Sequence, residues 1–223
     1  MEFFRFPRTT HVAWLGRGTL RNDKLMSPSE ARALLSHSVI VEEKLDGANI
    51  GISVDQHGEL RVQNRGTFLS WDTLHPQFKP LRRWIELRRL ALTAALRPSL
   101  VLFGEWCYAM HSIHYTRLPD WFLAFDVYDA QGDTFWCSAR RDALVLQLGL
   151  ELVPRLATGR HDRDGVARLL GPSSFADGPA EGIYLRWDDG PRLGGRGKIV
   201  CPEFLQSISE HWSQAAIRPN TLA

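Results

Sequence analysis

Apolar and polar residues follow one another along the chain in short strand-like runs and longer helical stretches. The spacing of apolar side chains predicts an amphipathic helix over Lys79–Arg97. Ser27 and Glu30 form a capping box, which predicts a helix that ends at about Ser36. Further helices are predicted over Ser138–Leu148, over Val166–Leu170 and from near Pro202. Strands are predicted over Val39–Leu45, Asn49–Asp55, Glu59–Arg65, Leu100–Trp106, Trp121–Tyr128, Gly182–Trp187 and Gly197–Cys201.

The order of these elements decides the expected fold class. The strands do not alternate regularly with helices, as they do in folds built on a parallel sheet. We therefore expect an α+β fold in which antiparallel sheets are flanked by helices. The sequence contains no repeat, low-complexity tract or linker-like segment, so residues 1–223 are expected to form a single domain.

Composition narrows the class of protein further. The 223 residues are 44% hydrophobic and 23% charged, which excludes disorder. No apolar run approaches the ~20 residues that span a bilayer, and three scattered cysteines do not suggest a disulfide framework. We expect a reduced, cytoplasmic protein with no membrane partner. The net charge of +2 does not by itself indicate nucleic-acid binding, but the chain has only four lysines, which draws attention to each.

The segment 43–49, Glu-Lys-Leu-Asp-Gly-Ala-Asn, lies between two predicted strands. A lysine at such a junction can project into a cleft, and its amine becomes a nucleophile when desolvation or a neighbouring cation lowers its pKa. Gly47 permits a tight turn, and Asn49 offers both a donor and an acceptor. Ordinary surface turns have the same composition, so this segment alone is compatible with a turn as well as a site.

Later segments place more charged residues at strand ends. Arg65 ends one predicted strand, Glu105 follows a buried-looking apolar run, and Glu181 begins another strand. Arg196 and Lys198 are two residues apart and share one face of the last strand. Each alone fits a solvated strand end. Together with the junction lysine, they would supply a nucleophile, carboxylates for a metal or hydroxyls, and cations for phosphates.

This ordered set resembles the motifs of the covalent nucleotidyltransferase superfamily of ATP-dependent ligases and capping enzymes. Within it, the chain is most similar to the RNA ligases of the phage T4 RNA ligase 2 group. Lys44-Leu45-Asp46-Gly47 matches the nucleophile motif Lys-x-Asp/His-Gly, and Asn49 matches the asparagine that follows it in that branch. The later matches are, in order, Arg65, Phe103-Gly104-Glu105, Phe125 in an aromatic strand, Glu181-Gly182 and Arg196-Gly197-Lys198. The resemblance implies a nucleotidyltransferase (ATP-grasp-like ligase) core with a nucleotide cleft between its sheets.

For function, the resemblance implies an ATP-dependent RNA ligase that uses ATP with Mg²⁺ or Mn²⁺. Lys44, with a lowered pKa, would attack the α-phosphate and form lysyl-AMP. The AMP would pass to an RNA 5′-phosphate, and a 3′-OH would displace it during RNA repair, with an end-healing kinase or phosphatase as a possible partner. The implied roles are phosphate contacts for Lys198 and Arg196, nucleotide binding for Glu43, Asn49, Arg65, Glu105 and Phe125, and metal binding for Glu181.

The sequence departs from the family pattern at two points. Arg196 stands where the closing motif has a lysine, and only 25 residues follow Lys198, so no separate C-terminal OB or helical domain is expected. Three alternatives stay open: a DNA ligase-like activity, a capping-type nucleotidyltransferase that uses GTP, and a non-catalytic nucleotide- or RNA-binding module.

Overall fold

Two antiparallel sheets organise the computed structural model, which describes residues 2–16, 25–96, 98–202, 204 and 217–223. The described strands are β1 (Val39–Lys44), β2 (Ala48–Val54), β3 (Leu60–Gln63), β4 (Leu100–Trp106), β5 (Phe122–Asp129), β6 (Thr134–Phe135), β7 (Glu151–Leu152), β8 (Arg155–Gly159), β9 (Gly182–Asp189) and β10 (Arg192–Val200). The described α-helices are α1 (Pro28–Leu35), α2 (Lys79–Ala95), α3 (Ser138–Gln147) and α4 (Arg163–Ala167).

The first sheet has the strand order β10-β9-β1-β8, and the second has the order β3-β2-β4-β5-β6. All of these neighbours are antiparallel, and the short β7 adds to β5 in parallel. The chain leaves the first sheet at Lys44 and enters the second at Ala48. The candidate nucleophile therefore lies where the two sheets meet.

Each sheet has its own helical cover. Helices α1 and α4 contribute Leu34 and Val166 to a core that includes Val41 and Leu185 of the first sheet. Helices α2 and α3 pack on the second sheet in a larger core that contains Trp84, Ile85, Ile52, Leu102 and Val145. The remaining faces of the two sheets are left to form the walls of a cleft.

The α+β class and every predicted strand are confirmed, with ends that differ by a few residues. The capping box holds at α1, where Ser27 accepts from the Glu30 amide and its own amide donates to the Glu30 carboxylate. The helix predicted over Val166–Leu170 begins earlier, at Arg163, because Asp162 caps it by accepting from Gly165 N. The predicted helix near Pro202 falls almost wholly outside the described residues. Within the described residues, the longest apolar helical stretches fall short of what crossing a membrane requires.

Candidate active site

A cleft of about 280 Å³ opens between the two sheets. Its walls come from both sheets and from the N-terminal segment, and eight of the nine residues assigned to the site from sequence line it. The lining residues are Phe6, Thr9, Glu42, Glu43, Lys44, Leu45, Asp46, Gly47, Asn49, Arg65, Glu105, Phe125, Val153, Glu181, Tyr184 and Lys198.

The turn after Lys44 is fixed by groups that are distant in sequence. Asp46 N donates to Tyr115 Oη at 2.8 Å, and the Asp46 carboxylate accepts from the amides of Ser112 and Ile113. Gly47 lies so close to β4 that a Cβ there would be 2.7 Å from the Trp106 carbonyl oxygen. The nucleophile motif therefore needs its aspartate as an anchor and its glycine for close approach.

The second carboxylate motif is placed by the same kind of constraint. Gly182 pairs with both Lys44 of β1 and Val200 of β10, and a Cβ on it would overlap the Ile199 carbonyl oxygen. This tight packing brings the preceding residue, Glu181, to the mouth of the junction. Lys44 Nζ donates to Glu181 Oε2 at 2.6 Å, and the two side chains are 27% and 11% exposed.

The charged groups of the protein by themselves do not lower the pKa of Lys44. Burial lowers the pKa of Lys44, but the carboxylates of Glu181, Glu105 and Asp46 together outweigh it, so the pKa lies above its usual value. Burial raises the pKa of Glu105 to about 8 and that of Glu181 to about 7, against the lowering effect of the Lys44 ammonium. In the protein alone, the protonated form of Lys44 is therefore favoured, and burial disfavours the ionised forms of Glu105 and Glu181.

We expect the Glu105→Gln variant to be more thermally stable than the wild type at high pH. Because the folded-state pKa of Glu105 is raised to about 8, its contribution to stability is complete near pH 4 and is lost as the pH rises through 8. In metal-free protein, the melting temperature of Glu105→Gln should exceed that of the wild type by at least about 3 °C at pH 9. The difference should shrink as the pH falls and vanish near pH 4. Glu151→Gln, an exposed control on β7, should show no pH-dependent difference, and a constant gap for Glu105→Gln at all pH values would contradict the assignment.

Phe125, which also lines the cleft, is the extra residue of a β-bulge. Phe103 pairs with Asp126, and Gly104 pairs with Ala124, so Phe125 has no partner on β4. Its carbonyl oxygen instead accepts from the buried Arg141 at 2.7 Å and the buried Arg186 at 3.0 Å. The Phe125 ring lines the cleft, which therefore has an aromatic end at Phe125 as well as a charged end at Lys44.

A comparison of the sequence with models of protein families identifies the family to which the chain belongs. A family model described as RNA ligase matches residues 37–200, well over half of the chain. The chain belongs to the RNA ligase family. No curated protein is similar enough in sequence to match it.

Solved structures of the RNA ligase of Naegleria gruberi share the fold. A mutant with ATP and Mn gives a TM-score of 0.61 at 19% identity, covering 82% of this chain and 55% of that one. The enzyme with PPi gives 0.61 at 21% identity, covering 91% and 63%. A mutant with AMP and Mn gives 0.61 at 19% identity, also covering 91% and 63%. This chain thus spans between 55% and 63% of the length of these ligases.

Within this RNA ligase fold, Arg196 differs from its expected place beside Lys198 at the phosphates. Its guanidinium donates to Asp126 at 2.9 Å and lies 4.0 Å from the centre of the Phe135 ring. It is not among the cleft-lining residues, whereas Lys198 is. Asp126 is fully buried and needs compensating cations, which Arg186 and Arg196 supply.

Two of the predicted nucleotide contacts have contrasting hydrogen bonding. Both carboxylate oxygens of the buried Glu43 are already engaged, by Ser173 Oγ at 2.6 Å and Ser174 N at 2.9 Å. Asn49 Oδ1 is buried and has no hydrogen-bond partner in the part of the chain that the structure describes. Asn49 thus keeps an acceptor for a bound ligand, while the nucleotide contact of Glu43 stays a prediction.

Sequence reasoning missed several residues of the cleft. Tyr184 on β9 pairs with Glu42 of β1 on one side and with Lys198 of β10 on the other. Phe6 and Thr9 come from the N-terminal segment. Tyr184 had a detectable signal, because it is three residues after Glu181 within a strand already assigned to the site. Phe6 also had one, since the alternating aromatics of Phe4 and Phe6 are typical of an extended segment against a core.

Proposed function

We propose that this RNA ligase family member joins RNA ends with ATP through a covalent lysyl-AMP intermediate. The observation that supports this most strongly is the Lys44 amine, held 2.6 Å from Glu181 in a cleft that has Lys198 at its charged end and Phe125 at its aromatic end. Adenine would stack on Phe125, a contact worth roughly 1–3 kcal/mol in similar settings, and the phosphates would lie toward Lys44 and Lys198.

In the first step, Lys44 Nζ forms a bond to the α-phosphorus, and the bond from that phosphorus to the pyrophosphate oxygen breaks. The amine must be neutral to attack, so its proton has to leave. Glu181 is the carboxylate that most raises the pKa of Lys44. Movement of Glu181 away from the amine would therefore lower that pKa and release the nucleophile. Lys198 would hold the α-phosphate oxygens, Arg65 would hold the ribose or a phosphate, and Glu105 would accept from a ribose hydroxyl.

The donor set fits a hard divalent cation such as Mg²⁺ or Mn²⁺. Glu181 and Glu105 are carboxylates whose pKa values are raised mainly by burial, so a nearby cation would favour their ionised forms. No group of three or more metal-binding side chains is present among the described residues. This agrees with an ion that is held by one or two carboxylates together with substrate phosphates. When bound, such an ion neutralises charge on the transferring phosphoryl group.

In the later steps, the AMP is transferred to an RNA 5′-phosphate, and a 3′-OH then displaces AMP to form the phosphodiester. Both steps need an RNA with a 5′-phosphate and a 3′-OH end. We further propose that the protein works in RNA repair in the cytoplasm, where a kinase or phosphatase would prepare those ends.

The decisive experiment is incubation of the purified protein with α-labelled ATP or GTP and Mg²⁺, followed by a denaturing gel and intact-mass measurement. We expect a mass gain of one AMP with ATP and no adduct with GTP. A GMP adduct would favour the capping-type alternative. Pretreatment with pyrophosphate removes AMP already attached, and the absence of any adduct after that step would favour a non-catalytic binding module. Supplying adenylated protein with nicked RNA or nicked DNA separates RNA from DNA ligation.

Replacing Glu181 with alanine is expected to reduce Mg²⁺-dependent adenylation at least about tenfold and to raise the Mg²⁺ concentration that gives half-maximal rate. The reason is the loss of the metal carboxylate at the charged end of the cleft. Adenylation rates over a Mg²⁺ titration test this, with Glu151→Ala on the exposed side of β7 as the matched control. An unchanged Mg²⁺ response in Glu181→Ala would remove Glu181 from the metal role.

A further inference from the structure

The N-terminal segment crosses the cleft and contacts both sheets. On the second sheet, the Phe4 carbonyl oxygen accepts from Gln63 Nε2 at 2.7 Å. On the first sheet, Val12 N donates to Lys198 O at 2.9 Å, and Lys198 N donates to Thr10 O at 3.0 Å. We call residues Phe4–Val12 the strap. It lies outside residues 37–200, the part that matches the RNA ligase family model.

The strap is built into the aromatic end of the cleft through Phe6. This side chain is 4% exposed, yet it lines the cleft. Its ring is perpendicular to that of Phe125, with centroids 5.3 Å apart and planes at 76°. It is also packed edge-on against Phe103 and Phe135, at centroid distances of 4.9 and 5.6 Å. Phe6 is therefore held rigidly, and it in turn limits how the Phe125 ring can rotate.

A second group of contacts fixes the back of Phe6. The Arg196 guanidinium lies 4.8 Å from the centre of the Phe6 ring and is itself tied to Asp126. A cation over an aromatic face is attractive, more so where water is excluded. The arginine of the closing motif thus supports the strap.

We propose that Phe6 and Thr9 of the strap form a wall of the nucleotide site and that Phe6 is a base-positioning residue. Phe6 borders the purine that stacks on Phe125 and keeps the Phe125 ring in its stacking orientation. The strap also pairs with the backbone of Lys198, so it joins the base end of the cleft to the phosphate end. This inference rests on the proposed function for the identity of the ligand, a purine nucleotide.

The test separates the base end of the cleft from its phosphate end. Affinities for α,β-methylene-ATP, AMP and pyrophosphate are measured on pyrophosphate-treated wild-type, Phe6→Ala, Phe6→Leu and Phe4→Ala proteins. Phe4 is the matched control, because it belongs to the strap and stacks on Tyr128, 3.5 Å between centroids, but does not line the cleft. We expect both Phe6 variants to bind AMP and the ATP analogue about tenfold more weakly and to bind pyrophosphate as the wild type does. Phe4→Ala should bind all three ligands normally.

Several results would overturn the proposal. One is unchanged AMP affinity in folded Phe6→Leu. Another is an equal loss of AMP and pyrophosphate affinity, which would indicate a general loss of structure, and a third is the same loss in Phe4→Ala. Self-adenylation of the wild type with labelled ATP is run alongside. Failure of that reaction with intact nucleotide binding contradicts the ligase proposal alone. Normal adenylation of the wild type, together with unchanged AMP affinity in the Phe6 variants, contradicts the strap proposal alone.

Discussion

Replacing Lys44 with methionine is expected to abolish covalent attachment of AMP and to leave the fold intact. Among the described residues, the cleft is lined by two lysines, Lys44 and Lys198. Tighter nucleotide binding cannot compensate for the loss of the nucleophile. The cost to stability should be small, because the Lys44 side chain is partly exposed and Glu181 can take up a proton once its partner is gone. Intact-mass measurement after incubation with ATP and Mg²⁺ reports the adduct, and circular dichroism reports the fold.

Two further variants make this result specific. Lys44→Arg keeps the positive charge beside Glu181 but has no deprotonated amine to offer, so it should also fail to form the adduct while melting close to the wild type. Lys79→Met removes an exposed lysine at the start of α2 and should be labelled normally. An AMP adduct on folded Lys44→Met, for instance on Lys198, would show that the nucleophile had been assigned to the wrong residue.

Much of the charged end of the site was predictable, because it is formed by short motifs at strand ends. Lys44 ends β1, Glu181 directly precedes β9, and Lys198 is near the end of β10. These three strands are neighbours in one sheet, so residues at their matching ends are close together once the sheet forms. Glu105 reaches the same junction because β4 pairs with β2, directly after the Lys44 turn. Motifs at strand ends were therefore enough to predict which charged residues lie close together.

Other features depend on partners that a local pattern does not contain. The raised pKa of Lys44 in the protein alone is set by three carboxylates from three parts of the chain, Glu181, Glu105 and Asp46. The strands β6–β8 were missed because two of them are only two residues long, and the five residues of β8 show no clear alternation of buried and exposed positions. The grouping of the charged residues was thus easier to predict than their protonation states.

The buried arginines were the least predictable feature, since charged residues are usually exposed. Arg141 and Arg186 are 1% and 0% exposed, and each binds a buried carboxylate. Arg141 on α3 makes a two-pronged ion pair with Glu42 on β1, at 2.6 and 3.1 Å. It also donates to the carbonyl of Phe125 on β5. The Arg141 side chain therefore joins the two sheets. Its partner on the first sheet, Glu42, is two residues before Lys44 in sequence.

We accordingly expect Arg141→Met to destabilise the protein by about 3–5 kcal/mol, because it leaves Glu42 buried without a cation. For a domain of this size, the melting temperature should fall by roughly 10 °C or more. The double variant Arg141→Met/Glu42→Met should recover most of this loss, since burying two apolar side chains avoids the cost of desolvating an unpaired charge. Thermal and denaturant unfolding of the two single variants and the double variant measure the coupling.

Arg155→Met provides the matched control. Arg141 and Arg155 both form an ion pair with Asp142, but the Arg155 side chain is 43% exposed. Its removal should cost less than about 1 kcal/mol. A small effect for Arg141→Met, similar to that of Arg155→Met, would mean that water reaches Glu42 and that the two sheets are not joined through this pair. If the double variant is stable, its affinity for AMP becomes informative. It lacks both the Arg141 hydrogen bond to the Phe125 carbonyl and the cleft-lining Glu42 carboxylate, so weaker AMP binding in a stable protein would show that this buried pair also shapes the nucleotide site.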